Sequence, residues 1–110
     1  MINELLAALN QVQGVEFVRD LWIKEPAGDY GTVELTSERF QWADNRPHKR
    51  QQTMTVTLYA HGNGDEYSAP VMAALLGLRH LRTFSPGGAE YLDQADLTQR
   101  RWTVVMEEVI

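Results

Sequence analysis

Between Gln51 and Ala60 the chain alternates strictly, with Met54, Val56, Leu58 and Ala60 on one parity and Thr53, Thr55, Thr57 and Tyr59 on the other. A period of two sends one set to the core face of a β-strand and leaves the threonines and the tyrosine on the opposite face. The β-branched threonines and valine favour a pleated backbone and lose rotamer freedom in a helix. The stretch therefore reads as a central strand. It ends at His61-Gly-Asn-Gly-Asp65, whose glycines and asparagine tolerate positive φ.

Upstream, Ile2, Leu5, Leu6, Leu9 and Val12 recur at helical spacing, with Asn3 placed to cap a short amphipathic helix and Gly14 to stop it in a left-handed turn. Few cations flank that stripe, so docking on a sheet is expected rather than a membrane role. The even spacing of Phe17, Leu21 and Ile23 predicts an early strand from Val15 to Ile23, bent near Asp20. Lys24-Glu-Pro-Ala-Gly28 is loop chemistry. A second strand follows from Tyr30 to Ser37, where Val33 and Leu35 alternate with Thr32, Glu34 and Thr36.

Glu38 to Arg50 is the least globular stretch. Phe40 and Trp42 continue the strand spacing, Ala43-Asp-Asn-Arg-Pro47 is turn chemistry, and His48-Lys-Arg50 is a small basic cluster. The strands on either side are expected to form a long hairpin whose tip stands out from the body. Two aromatics at its base and Arg46, Lys49 and Arg50 near its end fit either a contact arm or a solvated loop charged for solubility.

After the Gly-rich connector, Asp65 or Ser68 caps a second helix, and Pro70 suits its first turn best if Ser68 is the cap. Tyr67, Val71, Ala74, Leu75 and Leu78 mark its buried face, which Met72 and Leu76 widen. Gly77 weakens the helix interior by about 1 kcal/mol relative to alanine. Arg79-His-Leu-Arg82 sets cations at the C-terminal dipole, which is reason enough for them. Ser85-Pro-Gly-Gly88 predicts a turn, residues 89 to 97 an irregular strand, and Trp102 to Ile110 a terminal strand with Trp102, Val104 and Met106 on one face. The elements add up to an α+β fold: an antiparallel or mixed sheet of about four to five strands, two helices packed on one face and a long protruding hairpin.

At 110 residues and 12.5 kDa the chain reads as one domain, residues 1 to 110. Its 44% hydrophobic and 23% charged composition is that of an ordinary core-forming protein. A formal net charge of -5 and a pI near 5.1 argue against phosphate-backbone binding as the main business of the surface. The absence of cysteine excludes disulfides and thiolate metal sites and fits a cytoplasmic setting. Met1 to Leu9 contains Glu4 and no leading cation, and no apolar run reaches the roughly 20 residues of a membrane span, so neither a secretion signal nor an anchor is expected.

The candidates for chemistry each have a structural explanation. His48, His61 and His80 lack the paired spacing of a zinc site. Ser68 and Ser85 read as a cap and a turn residue rather than nucleophiles. The connector lacks the Lys-Ser or Lys-Thr pair of a phosphate loop and the third glycine of a dinucleotide fingerprint, and places Asp65 and Glu66 where a phosphate would sit. Glu90, Asp93, Asp96, Glu107 and Glu108 read as a solvated acidic face. No catalytic, cofactor-binding or metal site is expected.

The order of elements, together with Asp29-Tyr-Gly-Thr-Val-Glu-Leu35, Gln52 to His61, the helix from Glu66 to Leu78 and Arg101-Trp-Thr-Val-Val-Met106, resembles the tail-terminator and tail-completion (minor tail) proteins of long-tailed bacteriophages and prophages. The resemblance spans most of the chain as a pattern of strands and spacing. It implies a non-enzymatic structural protein that assembles, commonly as a hexameric ring, at the head-proximal end of the tail tube, where it stops tube growth and meets the head connector. It places Trp42, Arg46, His48, Lys49 and Arg50 in contact positions. The implied partners are copies of itself, the tail-tube protein and the head-tail connector, with no cofactor, membrane or specific nucleic acid. The implied location is the host cytoplasm during assembly and then the virion tail. Two other readings stay open. One is a small ligand-binding or enzymatic domain with a pocket between helix 2 and the sheet, suggested by the polar face of Thr53, Thr55, Thr57 and Tyr59; the other is a nucleic-acid module.

Overall fold

In the computed structural model, which describes residues 1–22 and 24–110, the chain runs α1 (Ile2–Leu9), β1 (Val15–Arg19), β2 (Asp29–Ala43), β3 (Arg46–Ala60), α2 (Ser68–Leu76), β4 (Leu81–Leu92) and β5 (Leu97–Val109). A single 3-10 turn at Asp65–Tyr67 leads into α2. The strands form one sheet in the order β1-β2-β3-β5-β4. β1 is parallel to β2 and every other pairing is antiparallel, so the α+β class and the mixed sheet of the sequence reading both hold.

β3 lies at the centre, and its period of two decides what the core contains. Met54, Val56 and Leu58 are completely buried and join Val33 of β2, Trp102, Val104 and Met106 of β5, Leu5 and Leu9 of α1, and Val71 and Leu75 of α2 in one cluster. Full burial of each such side chain is worth about 1.5 to 3 kcal/mol, which makes this cluster the main source of cohesion. The odd-numbered residues of β3 point the other way, where Thr57 faces Thr32 across β2 and Arg101 across β5. At the β1–β2 seam Gly31 lies under the Phe17 ring. A Cβ there would stand 2.2 Å from the ring and 2.8 Å from the Thr57 carbonyl oxygen, so only glycine lets the strands approach this closely.

Several boundaries differ from the sequence reading. α1 ends at Leu9, five residues before Gly14, because the Asn10 side chain closes on the backbone of Phe17, donating to its carbonyl at 3.1 Å and accepting from its N–H at 2.7 Å. Gly14, at φ 89, turns the chain into β1 instead, and Asn3 lies within the helix rather than capping it. β1 stops at Arg19, since Asp20 takes φ 67 and Leu21 is 73% exposed. Ile23, which the predicted strand included, lies outside the described residues.

α2 is capped by neither Asp65 nor Ser68: its N-cap is Tyr67, at the end of the 3-10 turn. Pro70 still falls within the first turn, where its missing N–H is not needed. Gly77 is the C-cap and not an interior position, so the interior penalty does not apply. Arg79 to Arg82 lie beyond the helix, with Arg82 already in β4. Ser85-Pro-Gly-Gly88 makes no turn; β4 runs through it with a bulge between Pro86 and Ala89. β4 is an edge strand, which is where a proline without an N–H is tolerated. The reversal falls later, at residues 93–96, where Asp96 takes φ 52.

β2 and β3 each run 15 residues and meet at Asp44-Asn45, whose φ angles of 52 and 63 are those a tight two-residue hairpin turn requires. Every residue of β2 from Thr36 to Ala43 is exposed. The molecule measures 52 × 24 × 23 Å along its principal axes. No helix among the described residues is long and apolar enough to cross a membrane.

Candidate interaction surfaces

The outer half of the β2–β3 hairpin carries the five residues singled out in the sequence, and the structure sorts them into two kinds. Trp42, across from Pro47, is 62% exposed, and Phe40, across from Arg50, is 44% exposed. Arg46 follows the turn and makes no ion pair among the described residues. His48 is exposed and its carbonyl accepts the N–H of Ile110 at 2.8 Å. Lys49 and Arg50 are engaged within the chain, the first 3.4 Å from Glu107 and the second on Glu108.

The β3–β5 register makes those pairs by setting Lys49 beside Val109 and Arg50 beside Glu108. Glu107 also accepts from Arg82 at 2.9 Å. Two of the five acids read as a solvated face, Glu107 and Glu108, are thus counter-ions of the basic cluster. Half-exposed pairs of this kind contribute about 0 to 1 kcal/mol each, enough to orient side chains but not to hold the strands together. The sequence reading also passed over Val109 and Ile110, 78% and 61% exposed, which extend the apolar surface at this end.

A second cluster ties the connector to the sheet. Asp29, at the start of β2, accepts at Oδ1 from the His61 N–H at 2.8 Å and lies 3.0 Å from His61 Nδ1. Its Oδ2 accepts the Tyr67 hydroxyl, which also lies 3.3 Å from the Gly14 carbonyl. Burial alone would raise the Asp29 pKa, but the hydroxyl of Tyr67 and the donors of His61 together hold it below the ordinary value. The Tyr67 hydroxyl is pushed up to about 12, first by its bond to Asp29 and then by burial. The cluster thus joins the entry to β1, both inner ends of the hairpin and the entry to α2. Beside it Arg100 reaches the Asn63 carbonyl at 2.6 Å and pairs with Asp65 at 2.5 Å, neutralising one of the connector's acids.

Two hollows remain. One, of about 780 Å³, lies between α1 and α2 and is lined by the small Ala8, Ala73, Ala74 and Gly77 together with the longer Gln11, Gln13, Glu66 and Tyr67. The other, of about 590 Å³, lies on the face of Thr55, Thr57 and Tyr59. There Tyr30 and Tyr59 stack at 5.0 Å and Trp22 stands edge-on to Tyr30 at 6.4 Å, fixed by its indole N–H to the Gly31 carbonyl at 3.1 Å. Among the described residues the threonines wall no pocket between helix 2 and the sheet. The threonines and the core residues that meet α2 have opposite parity on β3, and the hollow beside α2 is shared with α1 instead. No cluster of three or more histidine, aspartate or glutamate side chains able to hold a metal ion occurs among the described residues.

No family model matches the chain, and no curated protein is similar to it in sequence. Among solved structures the chain is similar in part to a chain of the virion of a native gene transfer agent particle. The identity is 18% and the TM-score 0.44, over 94% of this chain and 84% of that one. A likeness of that degree assigns no role to any residue.

Proposed function

We propose that the protein is a structural assembly component of a phage or prophage tail, which ends the tail tube or joins it to the head connector through ring-like self-association. The observation that carries this reading is the outer half of the hairpin, eight successive exposed residues of β2 that include Phe40 and Trp42. A pair of strands extended past the core exposes large apolar side chains at a cost to a lone copy, and such surface is characteristic of contact sites. In this reading the two helices cover one face of the sheet and the hairpin projects as a contact arm. Trp42, Arg46 and His48 meet the partner, while Lys49 and Arg50, braced by Glu107 and Glu108, hold the arm in shape and form the edge of the contact. The partners are further copies in a hexameric ring, the tube protein and the connector. The element order that resembles the tail-terminator proteins supports this placement.

The test is particle assembly in the cognate system, scored by electron microscopy. Removal of the protein should give tubes of irregular length without heads, and the purified chain should correct this. Normal particles in its absence, together with no binding of the chain to tube protein, would overturn the proposal. One observation favours a second reading: the aromatic hollow of Trp22, Tyr30 and Tyr59 is shaped to take a small planar or cationic group. Alanine at Arg46, Lys49 and Arg50 separates the two, since it should impair assembly in the first case and leave that hollow unchanged in the second.

A further inference from the structure

α2, Ser68-Ala-Pro-Val-Met-Ala-Ala-Leu-Leu76, carries no charged residue on any face. Only Val71 and Leu75 are buried by its own chain, while Met72 and Leu76 are 41% and 66% exposed. A helix that is apolar all round is normally covered all round, and this one lacks a cover along Met72 and Leu76, on the flank next to the Pro70, Ala73 and Ala74 side that lines the α1–α2 groove. The other apolar excess is on the arm: Phe40, Trp42, Val109 and Ile110 are exposed where the ends of β2 and β5 meet β3. These two places hold six of the eight large hydrophobic residues that the described chain exposes, so the unsatisfied surface is concentrated and not scattered.

We infer that the arm of one copy seats on α2 and the α1–α2 groove of the next, a head-to-tail contact that builds the ring. The inference rests on the assembly reading and names its joint. Shape and charge agree with that occupant. Ala8, Ala73 and Gly77 leave an open groove of about 780 Å³, roomy enough for an inserted aromatic side chain. Glu66 in its lining and Arg46, across from Ala43 at the tip of the arm, lack ion-pair partners among the described residues, and docking brings them together. An arm-to-arm contact would leave α2 bare; a head-to-tail contact covers both patches in every copy of a closed ring.

The joint is weak when single. Taking about 200 Å² for an aromatic side chain, the exposed parts of Trp42 and Phe40 amount to roughly 200 Å², a quarter of the ~800 Å² per partner of a stable interface. Ring closure, or a tube end that gathers the copies, supplies the effective concentration that a single joint lacks.

The chain has no cysteine, so Ala43→Cys and Ala73→Cys each install one thiol at an exposed position beside the joint while keeping Trp42 and Leu76. The variants are mixed in equal amounts on tube protein and mildly oxidised. The disulfide-linked pair should exceed that from either variant alone, or from Ala43→Cys mixed with a Gln94→Cys control, by about tenfold or more, because docking raises the local thiol concentration. The double variant should give a ladder that ends at the ring size. Equal linking with the control, or Ala43→Cys pairing with itself as readily as with Ala73→Cys, would overturn the inference. If the variants still gather on tube protein without the 43-to-73 link, the joint is wrong and the assembly reading survives. No association with themselves or with tube protein would remove both.

Discussion

Alanine at Gly31 puts one methyl group where the seam between β1 and β2 leaves no room, and the consequence can be worked from distances. The added Cβ would stand 2.2 and 2.3 Å from two carbons of the Phe17 ring and 2.8 Å from the Thr57 carbonyl oxygen. Carbon atoms prefer separations of about 3.5 to 4.0 Å, so one neighbour must move by more than an ångström. Neither gives easily. Phe17 is 2% exposed and sits in the core, and the Thr57 carbonyl belongs to the central strand. Overpacking ordinarily costs about 1 to 3 kcal/mol, and two stiff neighbours put this site at the top of that range. For a domain near this size about 3 kcal/mol lowers the melting temperature by roughly 12 to 24 °C. The assay is thermal and urea unfolding followed by circular dichroism, repeated in a Phe17→Ala background. That change alone costs about 3 to 5 kcal/mol, but it removes the ring, so Gly31→Ala should then cost at least about 1 kcal/mol less. A loss below about 0.5 kcal/mol in the wild-type background, or an equal loss with and without the ring, would refute the packing argument.

The cluster at Asp29 gives two further expectations. Tyr67→Phe removes a hydroxyl donated to a carboxylate and should cost about 1.5 to 3 kcal/mol, with the Asp29 pKa moving upward in an NMR titration; an unmoved Asp29 would deny the bond. Because Asp29 is held below its ordinary 3.8, its stabilisation is complete above that pH and is lost as pH falls through the folded value. Tyr67, raised from 10.0 to about 12, contributes fully below pH 10 and loses its contribution between those two values. The stability gap between wild type and Asp29→Asn should therefore be level from mildly acid to mildly alkaline pH and narrow at both extremes, whereas a gap that widens in acid would contradict it. At the hairpin turn Asn45 sits at φ 63, so Asn45→Val should cost about 1 kcal/mol or more while Asn45→Gly is tolerated, as unfolding curves would show.

What could be read from the chain was local. The alternation of Met54, Val56, Leu58 and Ala60 against the threonines needed no distant partner to interpret, and those residues are indeed the centre of the core. The Trp102, Val104 and Met106 face was legible for the same reason. Helix ends were not, because α1 is cut short by a bond from Asn10 to a backbone seven residues away, and α2 is entered through a 3-10 turn that sequence periodicity does not mark. Ser85-Pro-Gly-Gly88 reads as a turn in isolation, but at a sheet edge the same residues become a bulge. Among the contact candidates, the exposure of Trp42 followed from its place beside turn chemistry. The engagement of Lys49 and Arg50 depended on the register with β5, which pairs residues almost sixty positions apart. The Trp22, Tyr30 and Tyr59 group was invisible for a similar reason, being gathered from separate elements.

The rims of the sheet bear on how copies of this chain would meet in the proposed ring. β1, at one rim, offers only five residues, and β4, at the other, is interrupted by Pro86 and its bulge. On the β4 side an incoming strand would meet the proline and the bulge, but β1 pairs only with Asp29 to Val33, so β2 from residue 34 to 43 presents an open edge along the hairpin. In the proposed ring a neighbouring subunit would cover that stretch, whereas a copy left outside a ring would carry it bare, the kind of edge that invites indiscriminate strand addition.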